Sequence, residues 1–351
     1  LCCYFKTKPY IKVVTADRNT FIDNKALRDF VCTADVIVHL AGINRASEEE
    51  IYSGNVDLAT DLINAFNDTG RTPHILFASS THVENLRTVY GKAKQQASRL
   101  FEQWAKKNDA TYTQMVIPHV FGEYGRPNYN SVAATFCHQL THGMPPGITG
   151  DGHLELIHVQ NLCDEIYRLI TDKTKGTERI YGNPISVVEV ADKLSNLWKI
   201  YQSGVVPPLS DPFTRSLFNT LRGAIPNGSR QTYAKRHEDQ RGWLVETIKA
   251  ESGGQGFVSS TKLKVTRGDH FHLRKFERFF VLQGEAEIRL RKLYSHQVEH
   301  YFLNGANPSF VDIPTLHTHN ITNVGEDELI VLFWSNEIYD PENPDTYGEV
   351  V

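Results

Sequence analysis

The chain has 351 residues, a formal net charge of -4 and a hydrophobic fraction of 40%. Its length exceeds that of one usual hydrophobic core, so two domains are expected. Positive and negative charges are mixed along the chain, which argues against a nucleic-acid partner. No apolar run approaches the roughly 20 residues of a membrane span. The first residues are too polar for a signal peptide. Five cysteines without a framework spacing indicate reduced thiols, which predicts a cytoplasmic protein.

The chain has two consecutive parts with different sequence patterns. Strand-like runs at 10–14, 35–41, 74–78 and 113–117 alternate with helix-like runs at 24–32, 55–68, 90–108, 131–142 and 161–171. This alternation predicts an α/β domain with a parallel, doubly wound, Rossmann-like sheet. After about Gln231 the runs are short, β-branched and aromatic, which is typical of an all-β barrel or sandwich. A Pro- and Gly-rich stretch lies between them, so we predict domains 1–228 and 229–351.

A hydroxyl, a phenol and an amine follow the third strand-like run. Ser80 comes just after that run, Tyr90 begins a helix, and Lys94 follows four residues later. Positions i and i+4 share one helical face, so we expect the Lys94 ammonium to lie near the phenol and favour the phenolate. Such a phenol exchanges protons with an alcohol or ketone, while a nicotinamide supplies the hydride. An ordinary helix surface is the alternative interpretation.

The order of these features resembles the extended short-chain dehydrogenase/reductases (SDRs) from the second strand of that family onward. Matching segments are 36–42, 54–56, 78–80, 116–122 and 157–161. The resemblance implies a catalytic set of Ser80, Tyr90 and Lys94, with Thr81 as a substitute for Ser80. It also implies cofactor contacts from the following residues: Leu40, Ala41, Gly42, Tyr90 and Lys94.

The sequence departs from the family pattern in two places, and a charged pair bears on the choice of cofactor. The family opens with a strand and a glycine-rich turn that hold the pyrophosphate, and the sequence as given does not contain them. Val116 and His119 stand where relatives commonly carry arginine and asparagine. After the first run, Asp17 would favour a ribose diol and Arg18 a 2′-phosphate, so we favour NADPH bound by Arg18. Ordinary loop charges are the alternative for both residues.

The second part carries potential metal ligands. His270 and His272 are two residues apart, so in a strand they project from one face. We expect Glu277 on the neighbouring strand and His319 on a later β run. Together the four side chains predict a metal centre; for His270 and His272 alone, a solvated pair is the alternative. Three histidines and a carboxylate suit zinc, although other divalent metals also bind such sites.

These residues also match the two motifs of the cupin family. The matching positions are His270, His272, Glu277, Gly284, Pro314, His319 and Asn323. Leu316 stands where the second motif has glycine. The resemblance implies an all-β cupin barrel after the Rossmann-like domain, and a metal that is either catalytic or structural. Because cupin barrels often pair through edge strands, we expect a homodimer formed mainly by this domain.

A reductase followed by a cupin resembles the bifunctional capsular polysaccharide enzymes of the CapF/WbjC type. The resemblance runs from about Tyr10 to Val351, and its most specific segments are 126–137 and 336–347. It implies that the cupin domain epimerises C3 of a UDP-4-keto-6-deoxy-N-acetylhexosamine and that the SDR domain reduces C4 with NADPH. The product would be UDP-N-acetyl-6-deoxy-L-talosamine, a precursor of N-acetyl-L-fucosamine (L-FucNAc).

Three residues are expected to contact the substrate: two asparagines in the loop before the helix at Ser131, and an arginine that stands where sugar-nucleotide epimerases with this barrel bind the diphosphate. Asn128 and Asn130 would touch the sugar, with a helix-capping loop as the alternative. Arg241 would bind the diphosphate, with a surface arginine as the alternative. Two other functions remain open: an epimerase whose first domain is a sugar-nucleotide-binding scaffold, and a non-enzymatic cupin with a structural metal.

Overall fold

The computed structural model describes residues 1–233, 236–239, 242–245, 248–250, 254–337 and 340–351. The chain forms two compact units, one of residues 1–120 and 154–184 and one of residues 121–153 and 185–351. The predicted domain boundary after residue 228 falls inside the second unit and stays a prediction. Within the described ranges, no helix is both long enough and apolar enough to cross a membrane.

The helices are numbered in chain order. Their bounds are α1 Cys2–Phe5, α2 Arg18–Ile22, α3 Asn24–Cys32, α4 Glu48–Thr69, α5 Val89–Lys107, α6 Val132–Thr141, α7 Val159–Thr171, α8 Val187–Gln202 and α9 Pro212–Gly223, with a 3-10 helix at Thr81–Glu84. Helix α3 has the predicted bounds, whereas α4 begins well before its predicted start at Asn55. Ser47 explains this: its side chain and that of Glu50 form a capping box, and acidic residues fill the first turn.

The strands of the first two thirds are short. Their bounds are β1 Val36–His39, β2 His74–Ser80, β3 Tyr112–Ile117, β4 His119–Phe121, β5 His153–His158, β6 Gly176–Arg179, β7 Asn183–Ser186 and β8 Val205–Val206. Strands β1, β2, β3 and β6 form a parallel sheet in that order, which confirms the Rossmann-like prediction. The predicted strand at 10–14 is wrong: it has no strand assignment, and Tyr10 and Val14 are exposed. The described residues give this run no paired neighbour.

Helices α3, α4 and α5 pack apolar side chains against this sheet. Val31, Phe66 and Phe101 from the helices and Ile75 and Phe77 from β2 are all essentially buried in one cluster. Full burial of such a side chain stabilises the fold by about 1.5–3 kcal/mol. This core fixes the end of β2 and the start of α5, where the predicted catalytic residues lie.

The second unit is rich in β-structure. Its remaining strands are β9 Gln231–Tyr233, β10 Arg236–Asp239, β11 Gly242–Val245, β12 Lys249–Ala250, β13 Gln255–Thr261, β14 Thr266–Phe271, β15 Glu277–Gln283, β16 Glu285–Lys292, β17 Val298–Asn304, β18 Ser309–Ile313, β19 His317–Asn323, β20 Leu329–Ser335 and β21 Tyr347–Gly348. Two antiparallel sheets have the orders β13-β20-β15-β18-β9 and β17-β16-β19-β14-β21.

Both sheets bury side chains in one apolar cluster. Strand β16 shows why: Ala286, Ile288 and Leu290 alternate with charged residues and are fully buried, so one face of the strand is apolar. Gly284 joins β15 to β16 at φ +82°, a left-handed conformation that favours glycine. A sheet-rich fold is therefore confirmed, and the cupin barrel itself stays a prediction.

Candidate functional site

The predicted phenol and amine lie on one face of α5. The side chain of Thr88 caps this helix, so it begins at Val89 and carries Tyr90 in its first turn. Lys94 follows one turn later, with its Nζ 5.8 Å from the centre of the Tyr90 ring. Ser80 ends β2, and its side chain caps the 3-10 helix, against which α5 packs. The fold therefore gathers all three residues at the carboxyl end of β2.

The Lys94 ammonium is buried beside the loop that follows β1. This residue is 2% exposed; its Nζ donates to the Ala41 carbonyl at 3.4 Å and lies 4.9 Å from the centre of the Phe77 ring. Burial lowers the pKa of Lys94 to about 8. A Cβ on Gly42 would lie 2.9 Å from Nζ, so glycine leaves the room that the ammonium needs. The exposed loop from Leu40 to Gly42, implied to bind cofactor, thus borders this ammonium.

Burial also sets the protonation state of the Tyr90 phenol. It raises the pKa of Tyr90 above its usual value, so the phenol keeps its proton at neutral pH. The sequence predicts the opposite direction from the nearby Lys94, whereas burial of the phenol alone accounts for the direction of the shift in the pKa of Tyr90. A protonated phenol is a proton donor, as reduction of a ketone requires.

Replacing the buried cation should stabilise the protein. We expect Lys94→Met to raise the free energy of unfolding at pH 7 by about 2–3 kcal/mol, since lowering the pKa from 10.5 to about 8 reflects a desolvation cost of that order. The folded pKa lies below the unfolded one. The gain is therefore full below about pH 8 and is lost as the pH rises towards 10.5.

Urea unfolding of the wild type and Lys94→Met across this pH range measures the difference. Lys92→Met, at an exposed position on the same helix, is the matched control and should change little. If Lys94→Met and the wild type have equal free energies of unfolding at pH 7, the buried Lys94 ammonium does not destabilise the folded protein, which would contradict this prediction.

Asp17 and Arg18, which bear on the choice between NADH and NADPH, lie at the start of α2. The Asp17 carboxylate accepts a hydrogen bond from the Thr20 backbone at 3.0 Å and completes a capping box with that residue. Arg18 is the first residue of the helix and is exposed. Asp17 thus has a role within its own helix, whereas the Arg18 side chain is accessible to a ligand.

Two buried polar residues near Lys94 were missed by the sequence analysis. His39 stacks on Phe77, and burial, with a smaller contribution from the Lys94 charge, lowers its pKa to about 3. Asn55 donates to two backbone carbonyls at 2.7 Å, and its Oδ1 would lie 2.7 Å from a Cβ on Gly42. Both lie in segments that match the SDR pattern, 36–42 and 54–56, but their positions beside Lys94 follow from burial, which the sequence pattern does not show.

Two of the three predicted substrate residues lie in the described part of the chain. Asn128 and Asn130 belong to the second unit, in the exposed loop before α6. The Asn128 backbone amide donates to the Thr135 hydroxyl at 3.0 Å, and Ser131 caps the helix. Arg241 lies outside the described residues. The asparagines therefore occupy the predicted loop, while their role stays a prediction.

The four predicted metal ligands converge in the second unit. His270 lies on β14 directly opposite His319 on β19, and His272 follows the end of β14. Glu277 begins β15, which belongs to the other sheet, so the prediction of a neighbouring strand is wrong. One ligand atom from each residue lies within 4.8 Å of the others. The two sheets face each other across the apolar cluster. The Glu277 carboxylate, from the sheet that contains β15, therefore reaches the histidines of the other sheet.

The histidine tautomers direct lone pairs towards Glu277. His272 Nδ1 lies 2.6 Å from the Asp345 carbonyl, and His319 Nδ1 lies 3.3 Å from the His317 carbonyl. A carbonyl only accepts, so each Nδ1 carries the hydrogen and each Nε2 presents a lone pair. Both Nε2 atoms lie 3.3 Å from Glu277 Oε2 and have no hydrogen-bond partner among the described residues. Such converging electron pairs fit a divalent cation.

Local electrostatics keep two ligands in their metal-binding protonation states. Burial raises the pKa of the Glu277 carboxyl, but the imidazoles of His272 and His319, when protonated, lower it by more through hydrogen bonds and charge, so it lies well below its usual range. Burial, followed by the charges of His319 and His272, lowers the pKa of His270 to about 4. An ionised carboxylate and a neutral imidazole are the forms that bind metals, and no proton has to leave them at neutral pH.

A cavity of about 260 Å³ adjoins these ligands. It is lined by the following residues: Phe257, His270, His272, Lys275, Glu277, Ser335, Glu337 and Thr346. Lys275 donates from Nζ to the Thr346 hydroxyl at 3.3 Å, and Arg274 pairs with Glu337 at 3.4 Å. The sequence analysis missed these residues, although Lys275 lies between two motif positions, where it could have been found.

Leu316 explains the unmatched position of the second cupin motif. It lies at φ +60°, in the left-handed region that favours the glycine of the motif. Its side chain is buried, and its backbone N–H donates to the His272 carbonyl at 2.9 Å. Burial of a leucine is worth about 1.5–3 kcal/mol, which offsets about 1–2 kcal/mol of backbone strain. The departure from the motif therefore preserves the loop geometry.

Comparisons with known proteins cover both parts of the chain. Residues 6–182 match the NAD dependent epimerase/dehydratase family, and residues 237–347 match the polysaccharide biosynthesis C-terminal domain. The chain is 31% identical to a UDP-2-acetamido-2,6-beta-L-arabino-hexul-4-ose reductase of Pseudomonas aeruginosa. That alignment covers 99% of this chain and 94% of the relative.

Solved structures give the same assignment. The capsular polysaccharide assembling protein CapF of Staphylococcus aureus is 31% identical, with a TM-score of 0.58 and coverage of 94% of this chain and 90% of that chain. RMD of Pseudomonas aeruginosa, solved with NADPH, is 16% identical with a TM-score of 0.52, and the match covers 62% of this chain and 90% of that chain. At this identity the similarity shows the fold alone. The chain therefore belongs to the NAD-dependent epimerase/dehydratase family and to its capsular polysaccharide enzymes of the CapF/WbjC type.

Proposed function

We propose that this protein converts a UDP-4-keto-6-deoxy-N-acetylhexosamine in two steps, by epimerisation at C3 and NADPH-dependent reduction at C4. The product is UDP-N-acetyl-6-deoxy-L-talosamine, which serves L-FucNAc synthesis for a capsule or O-antigen. The observation that carries the proposal is the presence on one chain of a half-buried tyrosine beside a buried lysine and of a converging set of three histidines and a glutamate. The 4-ulose reductase named for the Pseudomonas relative supports the substrate class.

Reduction at C4 is assigned to Ser80, Tyr90 and Lys94. NADPH supplies the hydride when bound. The protonated Tyr90 phenol donates its proton to the oxygen that was the ketone, which leaves a phenolate. The Lys94 ammonium stabilises that phenolate and borders the Leu40–Gly42 loop proposed for the cofactor. Ser80 supplies a hydroxyl donor at the end of β2.

Arg18 supports NADPH as the cofactor. It lies exposed at the start of α2, where a guanidinium would pair with a 2′-phosphate, while Asp17 caps the helix. Asn128 and Asn130 remain proposed sugar contacts, and Arg241 a proposed diphosphate contact. All three offer polar donors to the hydroxyls or phosphates of a UDP-sugar.

Epimerisation is assigned to the cavity beside the metal ligands. A proton at C3 is acidic because the electrons of its bond move onto the C4 ketone oxygen when it leaves. A divalent metal, zinc in our assignment, stabilises that negative charge when bound by His270, His272, Glu277 and His319. The Lys275 ammonium, oriented by Thr346, adds positive charge to the same cavity. A general base accepts the C3 proton on one face, and a general acid returns a proton on the opposite face, which inverts C3.

The cavity favours a catalytic metal over a structural one. Structural zinc sites are closed by four protein ligands, whereas catalytic sites keep an accessible position. Four protein ligands match the closed pattern, so the catalytic assignment depends on the adjoining cavity of about 260 Å³, through which a sugar oxygen can reach the metal as a fifth ligand.

We also propose a cupin barrel that forms a homodimer. Strand β13 ends its sheet among the described residues and exposes Phe257 and Val258, which are 42% and 58% exposed. An exposed apolar edge favours pairing with a second copy. Light scattering in solution should give the mass of a dimer. A monomer at micromolar concentration would contradict this proposal.

Oxidation of NADPH tests the reductase directly. The full-length folded protein, mixed with NADPH and the UDP-4-keto sugar, should lower the absorbance of NADPH, and the product should carry a C4 hydroxyl. If NADPH is not oxidised while C3 exchanges with solvent, the first unit is a binding scaffold and the chain is an epimerase alone. If neither reaction occurs, the non-enzymatic interpretation holds.

A further inference from the structure

We propose that Asp345 is a positioning residue of the metal centre, so that the C-terminal segment 340–351 completes the site. This deepens the proposed function and rests on it for the identity of the metal ligands. Asp345 follows His272 by 73 residues and belongs to neither cupin motif. It is nevertheless 1% exposed, and its backbone and side chain both bind the loop that carries the ligands.

The Asp345 carbonyl fixes the His272 imidazole. It accepts a hydrogen bond from Nδ1 at 2.6 Å. This bond selects the tautomer whose Nε2 lone pair points at Glu277, 3.3 Å away, and it orients the ring. A partner on the second nitrogen of a metal-binding histidine is what makes the first nitrogen a well-placed ligand.

The Asp345 carboxylate holds the backbone between two ligands. It accepts hydrogen bonds from the N–H groups of Leu273, Arg274 and Lys275 at 3.2, 2.8 and 2.9 Å. These residues connect His272 to Glu277, so one buried side chain sets the separation of two metal ligands. Without it, three backbone donors lose their acceptor, and each buried unsatisfied donor costs about 1–3 kcal/mol.

The residues that follow Asp345 continue along the site. Tyr347 and Gly348 form β21, which pairs with β14 opposite Phe271 and His270. Thr346 lines the cavity and receives the Lys275 hydrogen bond. The segment 340–351 therefore contacts the ligands His270 and His272, and the ammonium of Lys275 in the cavity, through separate interactions.

The backbone at Asp345 guides the choice of variants. Its φ is +44°, a conformation that asparagine also adopts readily, so Asp345→Asn preserves the turn. The amide keeps one oxygen acceptor and loses the charge, whereas Asp345→Ala removes all three side-chain hydrogen bonds. Asp340→Asn is the matched control, since Asp340 is an exposed carboxylate of the same segment that accepts a local hydrogen bond from the Glu342 backbone.

Zinc affinity measured by chelator competition tests the inference without any sugar or NADPH. We expect Asp345→Ala to weaken zinc binding by about 10–100-fold and Asp345→Asn by several-fold. Asp340→Asn should bind zinc like the wild type. The visible absorption of the cobalt-substituted protein at saturating metal should also change in the Asp345 variants, because the carboxylate no longer holds the backbone that connects His272 to Glu277.

A purely structural role would lower thermal stability without changing the affinity or the cobalt spectrum of the folded protein. Wild-type zinc affinity and spectrum in folded Asp345→Ala would therefore overturn the inference. If that variant does not fold, the same result in Asp345→Asn would do so. A wild-type protein that binds no zinc would instead overturn the proposed metal centre, and the inference with it.

Discussion

Tyr90→Phe is expected to lose C4 reduction while proton exchange at C3 continues. The substitution keeps the half-buried ring but removes the hydroxyl that donates to the developing oxyanion. Loss of a positioned acid costs about 10²–10⁴-fold in rate. NADPH oxidation under single-turnover conditions measures the first effect, and deuterium uptake at C3 in heavy water measures the second.

Tyr112→Phe is the control for this prediction. Tyr112 is another buried tyrosine of the first unit, and its hydroxyl pairs with Ser98 at 2.7 Å. Removing that hydroxyl should cost about 1 kcal/mol of stability and leave the reduction rate close to that of the wild type. A Tyr90→Phe enzyme that reduces the ketone as fast as the Tyr112→Phe control would show that another group donates the proton.

His319→Ala is expected to abolish C3 exchange and metal binding together. His319 is fully buried, and its Nε2 lies 3.3 Å from Glu277 Oε2, at the centre of the ligand set. Loss of a direct ligand should weaken zinc binding by more than the roughly 100-fold upper range for an outer-shell partner. The variant should still reduce a 4-keto sugar that is supplied already inverted at C3, because the first unit is unchanged.

Two controls separate metal loss from misfolding. His300→Ala removes an exposed histidine of the same unit, one that pairs with Glu287, and should keep the metal and the exchange activity. Removing zinc from the wild type with a chelator should stop C3 exchange, and adding zinc should restore it. Deuterium uptake that persists in metal-free protein would mean that the metal is structural.

Local sequence patterns predicted most of the first unit. Helix α3 begins after the capping residue Asp23 at the predicted position, since capping chemistry is read within three residues. Helix α4 was predicted too short because its first turn is acidic and polar rather than apolar. The run 10–14 has strand-like residues, but a strand also requires a hydrogen-bonded neighbour, which a local pattern does not provide.

The sequence predicts which four residues form the ligand set. How the strands that carry them are arranged is known only from the structure. The spacing of His270 and His272 places them together, but whether Glu277 comes from the same sheet depends on how the chain crosses between sheets. Asp345 was missed because its contacts lie 70–73 residues away in sequence. The pKa of Tyr90 was predicted in the wrong direction because burial is a property of the packed structure.

Complementation between Tyr90→Phe and His319→Ala tests most directly whether one chain carries two separate active sites. Each variant receives the UDP-4-keto sugar and NADPH, alone or mixed with the other, and the products are identified by NMR. Neither variant alone should form the sugar that is inverted at C3 and reduced at C4. The mixture should form it, because one variant supplies the inverted ketone that the other reduces. A mixture that forms no more of this product than the separate variants would contradict the division of the two steps between these sites.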